Sequence, residues 1–173
     1  GARELSGLLW RSTGVSAFDT TTAATSLLAN AGVGSKTLGA GRLTVGSQLR
    51  IKAGGSFSTK AANAGTFTLT IINGPLTMAT VGPFKLPDNA TNSNWWMEAL
   101  GTLSLTGVNG AIRWTVQFTY NDGAGNLKTA SYVVNSTTLN TTLPRALDMR
   151  GKFSVNDPAN YWQTDIADIE VFP

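Results

Sequence analysis

Ile112-Arg113-Trp114-Thr115-Val116-Gln117-Phe118-Thr119-Tyr120 alternates without a break, each even-numbered residue aromatic or β-branched and each odd-numbered one polar. Successive side chains of a strand point to opposite faces, so this stretch predicts a strand with Trp114, Val116 and Phe118 on a core and its polar residues in water. Residues 145–155 read the same way, with Leu147, Met149, Gly151, Phe153 and Val155 on one side and Asp148, Arg150, Lys152 and Ser154 on the other. Further strands are expected at 43–51, 66–72, 96–105, 127–134 and 166–172, and weaker ones at 8–10 and 26–28. Turn residues separate them: Ala53-Gly54-Gly55, Asn73-Gly74-Pro75, Leu86-Pro87-Asp88-Asn89, Gly107-Val108-Asn109-Gly110, Asn121 to Asn126 and Asn156-Asp157-Pro158. Residues 81–94 form the longest turn-rich stretch and read as a long loop between strands. Many strands with no helical periodicity between them predict an all-β chain, an antiparallel β-sandwich or jelly roll, and exclude a βαβ fold.

The composition narrows the function classes. A chain of 173 residues and 18.1 kDa makes one domain, 1–173, with an extended N-terminal segment at 1–15. At that length folding buries roughly 70% of the unfolded surface, enough for a core without disulfides or metal. Charged residues are 13%, about half the usual quarter, and Thr, Ser, Asn and Gly fill the difference. With His 0 and Cys 0 there is no Ser-His or Cys-His dyad, no imidazole or thiolate metal site and no iron-sulfur cluster. The net charge is +3, but the 13 Lys and Arg are scattered singly, so no nucleic-acid arm is expected. No apolar run approaches the ~20 residues of a membrane span, and Gly1-Ala2-Arg3-Glu4 opens no signal peptide.

Few motifs carry chemistry. Trp95-Trp96 follows Asn92-Ser93-Asn94, and Tyr161-Trp162 follows Asn156-Asp157-Pro158. Aromatic faces beside Asn and Asp can stack sugars, although of two adjacent residues on a strand one points inward, which favours packing. Asp165, Asp168 and Glu170 lack the spacing of a calcium loop and read as a charged strand face, solvated or bridging subunits. Asp122-Gly123-Ala124-Gly125-Asn126 reads as a hairpin turn. Without His or Cys an enzyme would have to work through carboxylates or a Ser-Lys pair such as Ser58 and Lys60, which sit on a turn without visible partners. Asn89-Ala90-Thr91, Asn135-Ser136-Thr137 and Asn140-Thr141-Thr142 match the glycosylation pattern in a chain where Asn and Thr are abundant. No catalytic, cofactor or metal residue is assigned.

Leu9-Trp10, the tract Thr20-Thr21-Thr22, Gly34-Ser35-Lys36-Thr37, Gly46 leading to Leu49-Arg50-Ile51, then Gly54-Gly55-Ser56 with Ser58, and late Leu147-Asp148 and Asn160 before Ile166 and Ile169 form a pattern along most of the chain. Together they resemble a family of virion surface proteins of tailed phages and large DNA viruses; where that pattern has a Trp in the penultimate strand, this chain has Phe153. The resemblance implies a jelly roll like the tumour-necrosis-factor type, a homotrimer joined through a sheet edge and the C-terminal strand region, and display on the virion as a spike, fibre head or minor capsid protein. It implies a non-enzymatic structural or attachment role, with other virion proteins and a host surface glycan as partners. A carbohydrate-binding module or lectin-like domain is the alternative. For either role the expected contacts lie on the loop 83–94, where Asn89, Asn92 and Asn94 offer paired donors and acceptors and Trp95 a stacking plane.

Overall fold

The computed structural model describes residues 7–28 and 31–173, with backbone alone at 136–138. Among the described residues there is no helix. Thirteen strands follow in order: β1 (Gly7–Ser12), β2 (Ser16–Asp19), β3 (Thr25–Ser26), β4 (Gly32–Gly34), β5 (Thr37–Leu38), β6 (Gln48–Ser58), β7 (Thr66–Asn73), β8 (Leu76–Lys85), β9 (Ser93–Leu105), β10 (Gly110–Asn121), β11 (Leu127–Leu139), β12 (Arg145–Phe153) and β13 (Tyr161–Phe172). Of the expected N-terminal segment, residues 1–6 lie outside the described residues, while β1 and β2 both pair with β13.

The strands build two antiparallel sheets packed as a sandwich. The larger has eight strands in the order β11-β10-β9-β6-β13-β1-β4, with β2 also on β13; the smaller has five in the order β3-β12-β7-β8, with β5 also on β12. The pairing is nested: β7 with β8, around them β6 with β9, then β3 with β12, and outermost β1 with β13. Successive nested pairs fall in alternate sheets, so the chain wraps as one long hairpin folded about the turn Gly74-Pro75. The hairpin β10–β11 is inserted between β9 and β12 and widens the larger sheet, and β11 packs against the edge strand β8.

The inner faces meet in a core with many aromatic rings. Trp162 lies in the middle, its ring centroid 3.9 Å from that of Phe67 across the sandwich and 5.2 Å from that of Phe57 beside it. Trp114, Val116 and Phe118 are buried as their alternation predicts, and so are Leu147, Met149 and Phe153.

Three sequence expectations are corrected. Residues 81–94 are not one loop: β8 runs through Pro83 to Lys85, leaving 86–92 between strands. Proline lacks a ladder donor and reads as a breaker, but β8 is an edge strand and its register with β7 slips between Phe67 and Leu69, opposite Pro83. Gly54-Gly55 is not a turn but the interior of β6, which begins at Gln48 rather than at 43. The glycine is used there for space: a Cβ on Gly54 would lie 2.6 Å from Cε3 of Trp96 on the neighbouring strand.

Candidate functional site

Four of the five Trp residues are buried, and the fifth, Trp96, is 43% exposed. The register explains the division. Along β9, Ser93, Trp95, Met97 and Ala99 face the core, so Asn94, Trp96, Glu98 and Leu100 face outward on the larger sheet. The stacking plane expected of Trp95 is therefore corrected: its ring is 3% exposed and its Nε1–H donates to the Gln163 carbonyl at 2.9 Å. Asn89, Asn92 and Asn94 are exposed, but they do not converge with Trp95. Asn89 and Asn92 have φ of 56° and 47° and shape the turn, where their backbone N–H groups donate to the Lys60 carbonyl and to Ser58 Oγ. Only Asn94 belongs to the outer face that carries Trp96.

That outer face is ordered in rungs. One rung runs Gln163, Ser56, Asn94, and the next runs Ile166, Gly54, Trp96, Thr119, Thr129. The Trp96 ring lies against Gly54, and Ile166, 60% exposed, stands on the other side of Gly54. A bulge between Thr164 and Ile166 turns Asp165 out beside it. The Tyr161 hydroxyl donates to Gln163 Oε1 at 2.9 Å, and Gln163 Nε2 donates to Asp165 Oδ1 at 2.6 Å, so these polar groups are held in line along β13.

Beyond Trp96 the face becomes charged, with alternating signs. Arg11, Asp168, Lys52 and Glu98 form one rung across four strands, and Glu170 and Arg50 stand opposite each other in the next. Arg50 reaches Glu98 at 3.7 Å and Glu170 at 4.0 Å, and its guanidinium lies 5.1 Å from the Phe172 ring centre. Burial pushes the Asp168 carboxyl above the usual carboxylate range and Glu170 adds to the rise, against the pull of Arg11, Lys52 and Arg50. The three C-terminal carboxylates thus divide: Glu170 pairs with Arg50, Asp168 stands between Arg11 and Lys52 in its rung, and Asp165 accepts from a glutamine.

The remaining motif residues are occupied structurally. Ser58 Oγ accepts from the Asn92 backbone and Lys60 Nζ is 3.5 Å from Asp157 Oδ2. Asp122 Oδ1 accepts from the backbone of Ala124 and Asn126, bonds that hold its carboxyl below the usual range and close the β10–β11 turn. Asn140 is 9% exposed and its Oδ1 takes both the backbone N–H and the hydroxyl of Thr142. The sequence offered Trp95-Trp96 and Tyr161-Trp162 as stacking candidates but placed the plane on Trp95 and not on Trp96, and it did not point to Gln163 and Ser56 on the same face. The strand alternation carried Trp96, and only the β6–β13 register carries the others. No family model matches the chain, and no curated protein matches it.

Proposed function

We propose that this chain is a non-enzymatic structural or attachment protein of a virus particle, a jelly-roll domain displayed at the surface as a homotrimer. The observation that carries the reading is the nested pairing whose successive hairpins alternate between two sheets, the wrapped-hairpin topology that the resemblance to virion proteins implies. The outer face of the larger sheet supports it. Leu8 and Val133 are exposed there on the rung of Glu170 and Arg50, away from Trp96, among charges that largely neutralise one another, a surface whose covering desolvates few free charges. Both backbone edges of β13 are paired, so a trimer contact through the C-terminal strand uses its outward side chains at the Asp168 and Glu170 end and not its edge. The test is the mass in solution by light scattering at micromolar concentration. A trimer, three times the 18.1 kDa of the chain, is expected, and a monodisperse monomer overturns the assembly.

A further inference from the structure

We infer that the Trp96 face of the larger sheet is a binding site for a neutral pyranoside, an inference that rests on the attachment reading and names its ligand class. The fold buries four indoles and leaves this one 43% exposed. Gly54 fixes it: the ring rests where a Cβ would stand 2.6 Å from Cε3, so one side is seated on backbone while the ring stays open to solvent. A pyranose presents an apolar C–H face that such a ring can cover, and hydroxyls that need donors and acceptors at its margin. Those are present on the same face. Asn94 precedes Trp96 by one step of the alternation, Ser56 stands opposite Asn94, and Gln163 opposite Ser56. Gln163 is locked between Tyr161 at 2.9 Å and Asp165 at 2.6 Å, so no rotamer freedom of that group is lost on binding.

Charge selects among sugars. Asp165 makes no ion pair among the described residues and flanks Ile166, whereas Glu98, on the other side of Trp96 along β9, is paired with Arg50. The Asp165 carboxylate accepts from sugar hydroxyls and repels a sialic or sulfated one. A single shallow platform binds weakly, and three copies on one particle raise the avidity without new contacts.

The experiment probes the intact protein against neoglycoproteins bearing neutral hexoses and N-acetylhexosamines, with sialyllactose as the anionic control. Wild type is expected to bind at least one neutral probe, with affinity falling tenfold or more in Trp96→Ala and in Asn94→Ala and partly restored in Trp96→Phe. Asn94→Ala removes an exposed side chain and decides the matter if Trp96→Ala does not fold. Binding to no neutral probe, preference for sialyllactose, or equal binding by Asn94→Ala and wild type overturns the site; so does capture of a protein partner by Trp96 with no sugar bound. A trimer that binds no sugar refutes this site alone, whereas a monomer that binds through Trp96 refutes the virion assembly alone.

Discussion

Trp162 and Trp114 are buried with indole N–H groups that find no acceptor among the described residues, so each combines large apolar burial with an unmet donor. Replacing Trp162 with Ala opens a cavity beneath Phe67 and Phe57 and should cost about 3–5 kcal/mol, whereas Trp162→Phe loses ring volume but also removes the orphan donor and should cost less than about 2 kcal/mol. Denaturant unfolding of the two variants checks this; a cost of Trp162→Phe well above about 2 kcal/mol would mean that the donor has an acceptor. Asp168 gives a pH-dependent case. Its pKa is raised in the folded state from 3.8, so in the window above 3.8 the native chain holds a proton that the unfolded chain has lost, and stability falls as pH rises through that window. Asp168→Asn should therefore melt above wild type at pH 7, with the gap closing toward pH 3. A lower melting temperature at pH 7 would show that the attraction of Arg11 and Lys52 outweighs burial.

At the scale of elements, strands whose alternation runs unbroken were legible and those interrupted by Pro or Gly-Gly were not. The alternation of β10 and β12 gave their positions and faces, because each has the core on one side and water on the other. Edge strand β8 contains Pro83, and β6 contains two glycines explained only by Trp96 and the β13 bulge, so their meaning lies on neighbouring chains of residues. The same limit hid the site, since Trp96, Ser56 and Gln163 meet only across β9, β6 and β13. Several of the short motifs singled out in the sequence hold elements together. Ser35 N–H donates to the Leu9 carbonyl and Leu147 N–H to the Lys36 carbonyl, so that Gly34-Ser35-Lys36-Thr37 ties the large sheet to the small one. Asn160, fully buried, accepts from the Lys60 backbone at 3.0 Å and donates to the Ala64 and Val155 carbonyls at 3.1 and 3.4 Å, joining the loops before β7 and β13. Asn160→Ala should cost about 2–4 kcal/mol, since it strands buried backbone groups. Asn160→Asp should cost a similar amount, because a carboxylate keeps the acceptor and loses the donor. Thermal melts of both check this, and a change below about 0.5 kcal/mol would remove Asn160 as the pin.

On the whole molecule, two faces of the larger sheet divide the work. The inner face, with the aromatic stack about Trp162, joins the sheets, and the outer face carries an aromatic platform at one end and a self-neutralising charge mosaic at the other. That recognition resides on this outer face, and not on the loop 86–92, is tested most directly by indole N–H resonances in a ¹⁵N-labelled sample titrated with neutral methyl pyranosides. Trp95 and Trp96 are adjacent in sequence and opposite in orientation, so their two signals separate the possibilities. The expected result is a saturable shift of the Trp96 resonance while those of Trp10, Trp95, Trp114 and Trp162 stay in place. A spectrum in which Trp96 does not move, or in which the shifts fall on Asn89 and Asn92 alone, contradicts it.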